Sequence, residues 1–231
     1  MISVMSLKIK GWRKITKWAI WSVLTVLFLV FLIRVATFEA SYYAEKEGSE
    51  RAVAESVEAE ELIEVEPTEQ EVREYTVAPD RPRYLTVEKL GINKARILPM
   101  GVNTKGELAT PNNIFDVGWY EASGKPGQGG TMIIDGHNGG PKKFGVFKKL
   151  PDLVNGDIVS VERGDGVVYK YAVVENKAVS LNDADAYMAV AARSPEKGKE
   201  SVTLITCTGD WDSVRGTFMS RQFTRAVLVE E

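Results

Sequence analysis

The chain has 231 residues, enough for one good-sized domain with appendages. With 44% hydrophobic and 26% charged residues it is not a collagen, a coiled coil or a wholly disordered chain, and a formal charge of −3 argues against a dedicated nucleic-acid binder. A single Cys and a single His exclude an intramolecular disulfide and a Cys/His zinc cluster. Any thiol–imidazole chemistry must use Cys207 and His137.

The charge is distributed by segment. Residues 1–17 are basic, with Lys8, Lys10, Arg13, Lys14 and Lys17. Trp18 to Ile33 then runs sixteen residues without a charge, and continuation through Arg34 to Phe38 gives twenty-one. A helix of about 20 apolar residues spans a ~30 Å hydrocarbon core, so residues 18–38 are predicted as one transmembrane helix. Arg34 lies near one end, where it can snorkel, and Trp18 and Trp21 suit the opposite interface. The positive-inside rule places the N-terminus in the cytoplasm and the rest outside the cell membrane. The other reading of this segment is a cleaved signal peptide, although no clean A-x-A site follows it. Residues 39–80 are predicted as an extracellular linker. Positions 41–80 carry thirteen acids and three bases, too little apolar surface to offset ordering entropy. A short helix over Ala52–Ile63 is the one element expected there.

From Arg81 onward short β-branched and aromatic runs recur: Tyr84–Val87, Thr131–Ile134, Ile158–Val161, Val167–Val174, Val202–Thr206 and Ala226–Val229. Turn signals separate them, among them Gly129-Gly130, Asn155-Gly156-Asp157 and Gly164-Asp165-Gly166. Asp157–Glu162 and Val167–Val174 read as a hairpin. Helices are expected only at Phe144–Leu150 and Asp183–Ala192. Residues 81–231 thus form an all-β domain, a barrel or sandwich with short helices.

Cys207 ends the run Val202-Thr203-Leu204-Ile205-Thr206 and precedes Thr208-Gly209-Asp210, so its thiol stands at a strand end. His137 stands where Thr131–Gly136 runs into a Gly-rich loop. Taken singly, the first reads as a buried structural Cys and the second as a polar loop residue. Taken together, they supply the thiolate and imidazole that nucleophilic catalysis needs. An oxyanion donor would come from Arg215, Arg221 or Arg225. Arg225 directly precedes the strand Ala226–Val229, which favours it over two residues assigned to a Trp211–Thr224 loop.

Thr203-Leu204-Ile205-Thr206-Cys207 resembles the TLxTC signature of the sortases, and Gly136-His137 their Gly-His before a loop. Gly118-Trp119-Tyr120, Lys125-Pro126-Gly127, Phe147–Leu150 and Asn155-Gly156-Asp157 follow in the family's order, and Cys207–Asp212 is similar to class F-like members. The resemblance covers residues 81–231 and implies a closed eight-stranded barrel and a membrane-anchored cysteine transpeptidase. Cys207 would attack the Thr–Gly carbonyl of an LPxTG-like sorting signal, and His137 would move protons. Arg225 would stabilise the oxyanion, with Arg221 the runner-up because the spacing from Cys207 to Arg225 is long. The partners implied are sorting-signal proteins and an amine acceptor, either a peptidoglycan precursor or a pilin lysine; no metal or organic cofactor is implied. Two other readings are weighed. An L,D-transpeptidase would need a Ser-x-Gly-Cys motif that is absent here. A silent, membrane-tethered β-domain binding cell-wall components would not need the ordered Cys, His and Arg.

Overall fold

The computed structural model describes Arg34, residues 62–103 and residues 106–229. The segment expected to span the membrane lies, Arg34 apart, outside the described residues, as does nearly all of the helix expected over Ala52–Ile63. Among the described residues no helix is long and apolar enough to cross a membrane.

Eight strands close into one barrel. They are β1 Pro82–Val87, β2 Ile92–Met100, β3 Val117–Tyr120, β4 Thr131–Gly136, β5 Ile158–Arg163, β6 Val168–Ser180, β7 Ser201–Asp212 and β8 Thr217–Leu228. Their order around the barrel is β1-β2-β3-β4-β7-β8-β6-β5, and β5 pairs back onto β1. Two neighbouring pairs, β2 with β3 and β4 with β7, are parallel; the others are antiparallel. The closed all-β barrel is the architecture expected from the sequence.

Burial explains why β4 and β7 read as continuous apolar runs rather than alternating ones. Successive side chains point to opposite faces of a strand. On β7, Val202 and Leu204 join Met132, Ile134, Trp119, Tyr171 and Ala226 in the barrel core. The residues between face outward: Ile205, with Ile133, Val179 and Phe223, packs beneath helix α2 (Leu181–Ala191) through its buried Ala184 and Ala191. Both faces of the β4–β7–β8 sheet are covered.

The expected Lys125-Pro126-Gly127 turn is tied to the start of β7. The Glu200 carboxylate accepts from the backbone N–H of Gly127 at 2.9 Å and of Gly129 at 2.8 Å, and from the Tyr171 hydroxyl at 2.6 Å. Gly127 has φ +76°, and a Cβ there would fall 2.2 Å from the Tyr169 hydroxyl, so only glycine fits.

Two expectations are corrected. The Trp211–Thr224 loop is mostly strand: β7 runs to Asp212, β8 begins at Thr217, and the cross-strand pair Trp211 and Phe218 meets edge-to-face at 5.1 Å. Phe144–Leu150 is not a helix; only a 3-10 turn forms there, at Leu150–Asp152, where Pro151 follows. The compact unit that holds the barrel runs from Glu61 to Glu231. Its first helix, α1 (Glu69–Glu74), opens with a Thr68/Glu71 capping box. The chain around it is tied to the barrel by tyrosines on both sides: Tyr75 donates to the Ile97 carbonyl at 2.5 Å, Tyr84 donates to the Val72 carbonyl, and Arg83 Nε donates to the Tyr75 carbonyl at 2.8 Å.

A fragment spanning 81–231 should therefore melt cooperatively but below one spanning 62–231. Losing these bonds costs about 2–3 kcal/mol, or roughly 5–10 °C in a domain of this size. Coincident calorimetric melts would show that residues 62–80 ride on the barrel without supporting it.

Candidate active site

Strand register decides which of the sequence-predicted residues meet. Strands β4 and β7 run parallel with Ile134 beside Leu204 and Asp135 beside Ile205. The Thr206 hydroxyl donates to the Gly136 carbonyl at 2.7 Å, which carries the alignment to the end of β4. The next residue on each chain is His137 and Cys207. On the other side of β7, Cys207 is the cross-strand partner of Arg221. The imidazole, thiol and guanidinium residues thus occupy one level on three adjacent chain segments. All three are half-buried.

Arg225 is elsewhere. Its cross-strand partner is Thr203, four residues and about 13 Å along the strand from the level of Cys207. Its guanidinium pairs with Glu175 at 2.5 Å and donates to the carbonyls of Val190 at 3.2 Å and Arg193 at 2.8 Å. Beside it, the Thr203 hydroxyl donates to the Ala191 carbonyl at 2.7 Å. Arg225 and Thr203 together satisfy the carbonyls at the C-terminal end of α2, where a cation also complements the helix dipole. The structure does not bring Arg225, the arginine expected at the site, to Cys207; Arg221 is also held in a strand, and it alone of the three stands opposite Cys207. Arg215 lies in the turn between β7 and β8, is exposed, and sits 3.7 Å from Asp212.

The Arg221 guanidinium donates to the carbonyls of Phe218 at 2.9 Å and Ser220 at 3.1 Å and to the Thr217 hydroxyl at 3.3 Å. It is thereby held near the thiol, where its charge favours the thiolate. Burial is the larger influence: it pushes the Cys207 thiol above its ordinary value, Arg221 opposes, and the Asp135 carboxyl adds to the rise. Burial likewise pulls His137 below the ordinary imidazole value, against the opposing effect of a hydrogen bond to the Pro111 carbonyl. Both shifts favour the neutral thiol and neutral imidazole at rest. Among the described residues no hydrogen bond joins Cys207 to His137; the imidazole Nε2 is instead 2.8 Å from the Pro111 carbonyl.

The backbone under His137 is crowded. The Phe147 N–H donates to the His137 carbonyl at 3.0 Å, and a Cβ on Gly145 would come within 2.4 Å of that same oxygen. Asp135 is not among the residues expected at the site. Its mark in the sequence is a carboxylate near the end of an otherwise apolar strand, two residues before the only His. Thr110 and Pro111, which reach Asp135 and His137 from the β2–β3 connection, carry no comparable mark in the sequence. Among the described residues no group of three or more His, Cys, Asp or Glu side chains could hold a metal ion.

The family model for the sortase domain matches residues 85–229, more than half of the chain. No curated protein matches the chain. Among solved structures it is similar to sortase A from Corynebacterium diphtheriae at 23% identity, over 67% of this chain and 63% of that one, with a TM-score of 0.46. It is also similar to a Clostridium perfringens sortase D5 transpeptidase at 22% identity, over 71% and 90% of the two chains, with a TM-score of 0.46. For sortase C from Streptococcus pneumoniae the values are 18%, 73%, 76% and 0.48. The match thus spans less than two thirds of the Corynebacterium diphtheriae structure. Structural likenesses at this level carry no weight of their own, and membership rests on the domain match: the chain belongs to the sortase family.

Proposed function

We propose that this protein is a cysteine transpeptidase that cleaves an LPxTG-like sorting signal and joins the acyl product to an amine. The observation that carries this reading is the common level of His137, just past the end of β4, with Cys207 on β7 and Arg221 on β8, within a sortase domain. The Cys207 thiolate attacks the Thr carbonyl carbon, and negative charge develops on its oxygen beside Arg221. The C–N bond to Gly breaks, the leaving amine takes a proton from the His137 imidazolium, and a thioester remains on Cys207. An incoming amine then attacks the thioester and gives its proton to neutral His137, and the C–S bond breaks to return the thiolate. The acceptor amine belongs to a peptidoglycan precursor or a pilin lysine. Residues 18–38 anchor the chain in the cell membrane with the catalytic domain outside; their unbroken apolar run and the five preceding bases support this.

The test is mass spectrometry of the 62–231 fragment incubated with a library of LPxTG-like peptides. An acyl adduct on Cys207, absent in Cys207→Ala, is expected, and the adduct mass reads out the motif. Because the active pair is thiolate plus imidazolium, kcat/KM should rise through a limb below the ordinary imidazole pKa and fall through one above the ordinary thiol pKa. A domain that forms no adduct, and keeps its wall binding after thiol alkylation, would instead be the silent β-domain.

A further inference from the structure

His137 is held by a backbone carbonyl, and a carbonyl can only accept. The contact between Nε2 and the Pro111 oxygen therefore requires the proton on Nε2, which leaves Nδ1 as the basic nitrogen of the neutral ring. What holds Pro111 in place is the residue before it. The Thr110 hydroxyl donates to Asp135 Oδ2 at 2.5 Å. Asp135 is the cross-strand partner of Gly118 on β3 and the neighbour of Ile205 on β7. Its carboxyl occupies the space that the absent side chain of Gly118 leaves: a Cβ there would fall 2.6 Å from Asp135 Oδ1 and 3.0 Å from the Pro111 ring. Thr110, Pro111, Gly118, Asp135 and His137 thus form one packed chain of contacts ending at the imidazole. The Asp135 carboxyl is also close enough to Cys207 to influence its thiol.

We propose that Asp135 is a positioning residue for the acyl transfer: through Thr110 it seats the Thr110–Pro111 backbone, whose carbonyl keeps the His137 proton on Nε2 and leaves Nδ1 to exchange protons at the reacting atoms. The inference rests on the transpeptidase reading for its catalytic consequence but not for its structural one. Burial lifts the Asp135 carboxyl to about 7, with the Thr110 hydrogen bond opposing. At pH above that value the carboxylate is the acceptor this arrangement needs.

Because His137 is the only histidine, its two ring nitrogens give an unambiguous nitrogen-15 NMR signature in the intact 62–231 domain. At about pH 8, where an imidazole is neutral, the wild type should show a protonated Nε2 and an unprotonated Nδ1. Thr110→Val keeps the shape but removes the hydroxyl, and Asp135→Ala removes the acceptor. Each should introduce an Nδ1-protonated population and lower kcat for an LPxTG-like peptide roughly tenfold or more, within the ~10⁴ that a wrong tautomer can cost. KM should stay within about twofold of wild type, since neither group is assigned to substrate binding. Thr110→Ser and Asp135→Asn, which restore donor and acceptor, should recover the wild-type tautomer and most of kcat. A wild-type tautomer in Thr110→Val overturns the proposal whatever happens to kcat, as does an Nδ1-protonated wild type. Should Thr110→Val and Asp135→Ala fail to fold, loss of the tautomer in Thr110→Ser or Asp135→Asn overturns it equally. If the tautomer behaves as expected but no peptide acylates Cys207, the transpeptidase reading fails while the positioning of the imidazole stands.

Discussion

Arg221→Ala should lower kcat for acyl transfer by roughly 10²–10³-fold, the loss of one preorganised oxyanion donor, equivalent to about 2.7–4 kcal/mol. The guanidinium stands across the strand from Cys207, and its present partners are carbonyls and a hydroxyl at the start of its own strand. Those partners lie at the turn end of the β7–β8 hairpin and are half-exposed, so water can replace the lost bonds. The melting temperature should therefore move by only a few degrees. Arg221→Lys should recover little, because an ammonium lacks the planar fork that can bond backbone and oxyanion together. Stopped-flow acylation with a fluorogenic LPxTG-like peptide, read beside a calorimetric melt, separates the two quantities. Wild-type acylation by Arg221→Ala would remove Arg221 from the chemistry.

The reciprocal result is expected at Arg225. Arg225→Ala should cost about 2–4 kcal/mol of stability, or roughly 5–15 °C, with kcat in the folded protein within about threefold of wild type. The change removes the guanidinium donor from the carbonyls of Arg193 and Val190, the latter keeping the Arg193 N–H, and leaves the Glu175 carboxylate without its cation. Burial would raise that carboxyl, but hydrogen bonds from Tyr187 and Arg225 hold it below the ordinary range. Glu175 is a third exposed and can rehydrate, which keeps the cost below that of stranding a fully buried charge. Glu175→Ala leaves the cation on the buried side instead, since the Arg225 side chain is only 8% exposed, and should be the more damaging of the two. An Arg225→Ala domain that melts like wild type yet fails to acylate would reverse both assignments.

The contrast between these two arginines shows where sequence reading stops. Local pattern was sufficient for the strands around Cys207 and His137, because a buried strand needs β-branched runs and a turn needs Gly, Asn or Asp, and these act over a few residues. It was sufficient for the α2 helix and for the β5–β6 hairpin as well. It was not sufficient for Arg221. The Gly, Ser and Thr residues between Trp211 and Thr224 look like loop formers, but β7 and β8 pair through them to Trp211 and Phe218, and pairing with a neighbouring strand overrides local preference. The ties between residues 62–80 and the barrel are hidden from local pattern for a related reason. The acidic stretch has little apolar surface of its own, yet Tyr75 and Tyr84 tie its last part to the barrel through bonds between residues distant in the chain. Two facts, then, belonged to the sequence by itself: the single thiol and single imidazole that any such chemistry must use, and the β-rich domain that carries them. Which arginine faces the thiol, and which carboxyl and carbonyl hold the imidazole, depend on register between strands that meet only when the barrel closes, and no local spacing encodes that register.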